Sequence, residues 1–378
     1  VKNLTLAILI FSLLCVSASE VEASGNCKIE EIIVLGLTRT EERIVLAQLP
    51  FSEGDQWKEE YRIWTLRRLQ LLDFFAYDPL RVIVEPLGNE KCRIIVRAAD
   101  PAVLYKEPME FVITKAVDLL FRQFNLSLFN PGGIGSSLKF YGGWGNYRNL
   151  GMTVSSPLGA GLGSAGGQIY SNSTGFYKES GLVFKGDYSS WVNPSTRLTG
   201  GIDYRTGELN EQKQIILLPR GELYYNNEFR GEIKAAAGFS FTGEKPFYRL
   251  QGQALGELGS FVGLIRGGFM AGEPPPLNYH FRLGGFGLIP LRGQPVELAQ
   301  NYLLGTLEYH FQTPQFIPIL FADWGWYSPG GTGGNINIGA GLAMEIPLGV
   351  IRADFAWSPV RGTTGFNIGF GHSYRPPF

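Results

Sequence analysis

Hydrophobic and polar positions follow two different rhythms along this 378-residue chain. Between residues 27 and 100, strand and helix periods alternate. Lys28 to Leu37 carries Ile29, Ile32, Ile33, Val34 and Leu35 in a strand-like run that stops at Gly36-Leu37. Thr40, Glu42 and Arg43 open a helix bearing Ile44, Val45 and Leu49, and Pro50 closes it. After a turn at Phe51–Asp55, the residues Tyr61, Trp64, Leu66, Leu69 and Leu72 recur mostly at three- or four-residue steps and predict a second helix. Two short strands, around Leu80–Glu85 and Cys92–Ala98, meet at Gly88-Asn89 and complete a β-α-α-β-β unit.

From residue 108 onward the helical period gives way to alternation. Ile336, Ile338, Ala340, Leu342, Met344 and Ile346 share one face of a segment whose other face is Asn335, Asn337, Gly339, Gly341 and Glu345. Phe229–Phe241 and Ile351–Trp357 repeat the pattern. Such a sheet has one apolar and one polar face, which suits either a soluble sheet or a lipid-facing barrel. The number of segments separates the two. Roughly sixteen of them, each of about ten residues, have the length that crosses an outer membrane when tilted. A soluble sheet of that size needs a covering layer, and no helical pattern is present to supply one. The expectation is a closed transmembrane antiparallel β-barrel of about 16 strands, with the domain order 1–23 leader, 24–104 small α+β domain and 105–378 barrel. One connection, Gly272–Gln300, is long, contains Pro274-Pro275-Pro276 and lacks alternation, the mark of a functional loop.

Composition narrows the classes. A net charge of -1 excludes nucleic acid as the main partner, and 50 glycines with 26 phenylalanines and 17 tyrosines suit a large antiparallel protein. Lys2 followed by the apolar stretch Leu4–Val16 reads as a secretory signal, with cleavage after Ser19 or Ala23. Only Cys27 and Cys92 would then remain, and either a disulfide or two free thiols is open. No further apolar run is long enough for a transmembrane helix. His280, His310 and His372 lack metal-ligand spacing and are expected at wet surface or lumenal positions. Gly161-Leu162-Gly163-Ser164-Ala165-Gly166 matches a dinucleotide-binding wording but lies between alternating strands, so it reads as a hairpin turn. No metal site, cofactor or catalytic constellation is expected, and the chain reads as a non-enzyme.

The wording of several segments goes further. The Ile-x-x-Ile strand ending in Gly-Leu, the Gly-Asp turn and the Leu-x-x-Leu-Asp-Phe-Phe exit resemble a POTRA domain. Gly284-Gly285 followed by Leu291-Arg292-Gly293 resembles the signature loop of the BamA/TamA superfamily, although Gln294 stands where that family has an aromatic residue. Leu304-Gly305-Thr306-Leu307-Glu308 is similar to its Gly-x-x-Glu strand, and Phe321-Ala322-Asp323-Trp324-Gly325 to its Phe-x-Asp-x-Gly strand. Pro347–Ala356 and Phe366–Gly371 resemble its last two strands.

That resemblance implies a loop folded back into the lumen, with Arg292 held by Glu308 and Asp323. It also implies neighbouring parallel first and third strands in the small domain, which would bring Cys27 and Cys92 together. A bridge there would close a loop of about 65 residues and stabilise by roughly 4 kcal/mol. By resemblance, the protein resides in the bacterial outer membrane with its POTRA domain in the periplasm. Its partners would be unfolded outer-membrane proteins or other polypeptide clients, outer-membrane lipid, and accessory periplasmic or lipoprotein partners. Its work would be to assist insertion at a weak seam between first and last strands, here Met109–Val117 and Phe366–Tyr374. The alternatives are a two-partner secretion pore and a passive or lipid-handling barrel.

Overall fold

In a computed structural model the chain is described over residues 27–75, 80–106, 108–120, 122–145, 147–173, 176–227, 229–242, 245–272, 277–283, 292, 297–311, 313, 316–328, 331–346 and 349–371. The leader and its cleavage sites lie outside these residues.

The small unit comprises β1 (Lys28–Leu35), α1 (Glu42–Leu46), α2 (Glu59–Leu71), β2 (Arg81–Gly88) and β3 (Lys91–Arg97). Its sheet order is β1-β3-β2, with β1 and β3 parallel and β2 antiparallel to β3. Ile29, Val45, Leu69, Leu72, Phe74, Ile94 and Val96 form its core between sheet and helices. Cys27 and Cys92 are joined by a disulfide, which ties the starts of the two parallel strands.

A helix, α3 (Pro108–Leu120), follows where a first barrel strand at Met109–Val117 was expected. Met109, Val112, Ile113, Ala116, Val117 and Leu120 recur at helical spacing, while Met109, Phe111, Ile113 and Val117 alternate, and periodicity alone does not separate the two in a short apolar run. The barrel sheet then comprises β4 (Gln123–Phe129), β5 (Ser137–Gly143), β6 (Tyr147–Leu158), β7 (Gly161–Ser173), β8 (Lys178–Trp191), β9 (Thr196–Leu209) and β10 (Gln212–Asn226). It continues through β11 (Arg230–Ser240), β12 (Phe247–Leu258) and β13 (Phe261–Gly272). The long connection carries a 3-10 turn (Leu277–Tyr279) and a small hairpin of β14 (Phe281–Leu283) and β15 (Glu297–Ala299), so it is not wholly without strands. The sheet closes its sequence with β16 (Asn301–His310), β17 (Ile317–Ser328), β18 (Gly331–Ile346), β19 (Gly349–Ser358) and β20 (Thr363–Gly371).

Among the described residues fifteen strands, β4 to β13 and β16 to β20, pair in chain order, each antiparallel to the next. The Gly161–Gly166 segment lies inside β7 rather than in the hairpin turn, which falls just before it at Gly159-Ala160.

Polarity runs opposite to that of a soluble fold. On β17, Asp323 is 0% exposed while its neighbours Leu320 and Trp324 are 51% and 42% exposed. Ile336, Ile338, Leu342 and Met344 likewise face outward as Asn335 and Asn337 face in. A sheet with ionised groups inside and aliphatic and aromatic groups outside is stable only where lipid covers the outside. The architecture is a transmembrane antiparallel β-barrel behind a small α+β domain.

The small domain packs on one rim of the barrel. Gln48 Nε2 donates to the Gly159 carbonyl at 2.8 Å, Trp64 Nε1 to Trp191 at 3.0 Å and Arg67 Nη1 to Asn226 at 2.9 Å. The β4–β5 turn joins them, with the Glu41 N–H donating to Gly133. In that turn Gly135, at φ +78°, would press a Cβ to 3.1 Å from both Ile44 and Phe74, so glycine alone suits the close approach.

Candidate functional site: the lumenal loop and its lock

The inward positions of β16, β17, β18 and β19 create an unusual stretch of wall. Period-two alternation puts Thr306, Glu308 and His310 on one inner face, Phe321 and Asp323 on the next, then Asn335 and Asn337, then Arg352 and Asp354. Cross-strand register aligns Thr306 with Asp323, and Asp323 with Asn337. Gly339, opposite Phe321, is necessarily bare: a Cβ there would lie 2.4 Å from the Phe321 ring and 2.1 Å from the Phe355 carbonyl oxygen.

Arg292, from the long loop, enters this wall and is 4% exposed. Its Nε and Nη2 donate to the two oxygens of Asp323 at 2.9 and 2.7 Å, a forked pair whose planar geometry only a guanidinium supplies. Its backbone N–H also donates to Asp323, at 3.1 Å. Nη1 reaches Glu308 at 3.0 Å and Asp354 at 3.1 Å. The guanidinium carbon lies 3.4 Å from the centroid of the Phe321 ring, and Asn337 Nδ2 donates to the Arg292 carbonyl at 2.7 Å.

A second arginine completes the network. Arg352 donates to Glu308 at 2.7 and 3.0 Å and to Asp354 at 3.0 and 3.1 Å. His310 Nε2 is 2.8 Å from Glu308, and the Thr306 hydroxyl donates to Asp323 at 2.9 Å. Three buried carboxylates thus face two guanidiniums, with an imidazole on Glu308. No carboxylate in the cluster lacks a donor, as burial of charge requires.

The two partners expected for Arg292, Glu308 and Asp323, are both in contact with it. Asp354, Arg352 and His310 were missed as members, and His310 is buried in the network rather than wet. The signal was available: Glu308/His310 and Arg352/Asp354 are i,i+2 pairs that share one face of a strand. Phe321 lies inward beneath Arg292, and Gly325 sits between Leu304 and Asn335. Gly305 has a different role from the lumenal residues. A Cβ there would lie 2.2 Å from the Trp324 indole, so it lets that ring lie across the sheet's outer face. Gly284, Gly285, Leu291 and Gly293 lie outside the described residues.

The same loop touches the opposite wall. Asn278 Nδ2 donates to Glu179 on β8 at 2.8 Å, Arg282 donates to the Tyr177 hydroxyl, and the Arg205 guanidinium of β9 lies 5.3 Å from the Tyr279 ring. Phe281 packs on Tyr302 and Tyr279 on Phe247, both at 4.9 Å. The described parts of the loop thus contact β8 and β9 through Asn278 and Tyr279, and β16, β17 and β19 through Arg292. Arg361 anchors its returning end through Glu297.

No family model matches the chain, and no curated protein matches it in sequence. Solved structures share its fold. BamA from Haemophilus ducreyi lacking POTRA domains 1–3 aligns with a TM-score of 0.56 at 14% identity, over 89% of this chain and 82% of that one. CdiB from Acinetobacter baumannii aligns at 0.61 and 13% identity, over 91% and 73% of the two chains. CdiB from Escherichia coli aligns at 0.56 and 15% identity, over 92% and 75%.

Proposed function

We propose that this chain is an outer-membrane protein that assists insertion of other β-barrel polypeptides, its small domain serving as a POTRA-type receiver in the periplasm. The observation that carries this reading is the loop lock. A plain pore keeps its lumen clear, whereas here Arg292 of the long loop is buried in the barrel wall, held by four side-chain hydrogen bonds to Asp323, Glu308 and Asp354. In the small sheet β2 is an edge strand, able to receive an extended client by strand addition. The resemblance to the BamA/TamA superfamily in the loop and last strands, and the likeness of fold to BamA, support the same reading. In it the protein works by strand exchange and local perturbation of lipid, with no bond chemistry. Its partners are unfolded polypeptides and outer-membrane lipid, with accessory proteins at the periplasmic side.

The test is reconstitution of the full chain in liposomes, with the folding rate of a urea-denatured outer-membrane barrel as readout. Acceleration that Arg292→Ala abolishes is expected. A second reading, export of a partner polypeptide, is favoured by the higher TM-score to CdiB of Acinetobacter baumannii. A folded, inactive barrel that conducts ions once the loop is released would favour it over insertion.

A further inference from the structure

The inner wall beneath Tyr279 and Phe281 is richer in cations than in carboxylates. By alternation Asp203 and Arg205 on β9 and Arg249 on β12 face inward, since their neighbours Ile202, Tyr204, Tyr248 and Leu250 form the exposed outer set. With Arg220 on β10, Lys234 on β11 and Tyr279 of the loop they line a cavity of about 200 Å³. Four cationic side chains line it against two carboxylates, Asp203 and Glu222.

Both carboxylates are already engaged. Arg220 Nε donates to Asp203 at 3.0 Å, and its Nη2 lies 2.6 Å from Asp187. Glu222 accepts from Arg197 at 3.2 Å, and Lys234 Nζ lies 3.6 Å from it and 2.9 Å from Glu232. Arg205 and Arg249 are left over. Arg205 Nη2 is 3.8 Å from Asp203, beyond hydrogen-bonding distance, and its buried Nε has no hydrogen-bond partner among the described residues. Glu179, with which Arg205 lines a smaller adjoining cavity, is taken by Tyr170 and Asn278. Arg249 forms no ion pair among the described residues, and its guanidinium lies 4.4 Å from the Phe281 ring. An arginine set against an aromatic face keeps its N–H edge for an oxyanion, with which it makes short charge-assisted bonds. A cation drawn out of water without a counter-charge costs free energy that a bound anion offsets.

We propose that this cavity is a binding site for a phosphate group, held between the Arg205 and Arg249 guanidiniums with Lys234 beside it. A phosphate presents several acceptor oxygens on one centre and can serve both guanidiniums, which a single carboxylate serves less fully. Because Tyr279 lines the cavity and Phe281 backs Arg249, the site is complete only with the loop in place. Phosphate binding and loop docking therefore favour each other. The site stands apart from the insertase reading, and either can fail without the other.

The test uses the full chain folded in a non-ionic, phosphate-free detergent and titrated calorimetrically with inorganic phosphate, ionic strength being held with chloride. Saturable binding is expected. Affinity should fall roughly tenfold or more in Arg249→Gln and in Arg205→Gln, in keeping with loss of charge-assisted hydrogen bonds. Arg249→Lys, which keeps the charge but not the planar edge, should fall in between, and Arg148→Gln, at an exposed position of β6, should bind as the parent does. Phosphate should also slow proteolysis within 273–300 in the parent and not in Arg249→Gln, each protein being compared with itself so that a change in basal folding does not mimic the effect. Glycerol phosphate in place of inorganic phosphate separates the sources. Equal binding of both supports a site open to phosphomonoesters such as a lipid headgroup, and binding of inorganic phosphate alone supports a site for the free anion. Absence of saturable heat, the same heat when chloride replaces phosphate, or equal affinity in the parent and a folded Arg249→Gln barrel overturns the proposal.

Discussion

At the residue scale, the balance of burial and pairing makes Arg292 costly to lose. Its removal leaves Asp323 with the Thr306 hydroxyl but without the fork, and strips Glu308 and Asp354 of a donor each. Truncation of a buried ion pair of this kind costs about 3–5 kcal/mol, most of it from the charge left behind. Arg292→Lys should recover little, since an ammonium cannot fork onto two oxygens while also reaching Glu308 and Asp354. Limited proteolysis within 273–300 would read both variants, with faster cleavage expected in each. Asp100 offers a cleaner titration in the small domain. Burial pushes its carboxyl up, but the Thr40 hydroxyl and the backbone N–H groups of Arg39, Thr38 and Thr40 outweigh that and hold it at about 2, below its ordinary 3.8. A carboxyl with a depressed folded pKa adds stability above its unfolded value and loses it as pH falls through the folded one. Protection of the Thr38–Thr40 amides should therefore hold near neutrality and fail between about pH 4 and pH 2, and Asp100→Asn should abolish that dependence.

At the element scale, two devices set the geometry of strands. The Cys27–Cys92 disulfide joins the starts of two strands separated by 65 residues. In the chain-entropy account such a link stabilises by about 4 kcal/mol, so reduction or Cys92→Ser should lower the denaturant midpoint of the small domain and leave barrel unfolding unchanged. Gly339 is the second device. Gly339→Val would drive a side chain into the Phe321 ring, against which Arg292 is stacked. It should release the loop much as Arg292→Ala does, although it removes no charge, and the same proteolysis would report it.

At the scale of the whole molecule, inverted polarity and the rim clamp decide behaviour. Leu307 faces outward from β16 at 53% exposure. Leu307→Arg should cost about 2–4 kcal/mol of folding in bilayers if it sits near mid-membrane, with a smaller penalty in detergent. The clamp consists of Trp64, Arg67 and Arg68 donating to carbonyls at the ends of β8 and β10, with the Arg67 guanidinium 4.9 Å from the Trp191 ring. Trp64→Ala combined with Arg68→Ala should broaden the distribution of spin-label distances between the small domain and the Gly159 turn. An unchanged, narrow distribution would show that the remaining contacts, Arg67 with Asn226, Gln48 with Gly159 and Glu41 with Gly133, suffice to fix the domain.

Much of this organisation was legible locally. Period-two alternation sorts residues between two faces, and the backbone geometry of a strand enforces it. The β-α-α-β-β unit and the barrel therefore follow from neighbours within a few residues, whereas Glu308 and Asp323 as partners of Arg292 came from the resemblance of their segments to the BamA/TamA superfamily. The tertiary structure decided what depends on distant partners. Met109–Val117 suits either helix or strand, and the bonds that Asn125 donates to Asp118 accompany the helix. Asp354, Arg352 and His310 join the lock because strand register and barrel curvature bring four strands around one guanidinium. Sequence supplies the face on which a charge lies; only the folded wall determines which charge stands opposite, since in a low-dielectric lumen each buried ion must find its counterpart across the sheet.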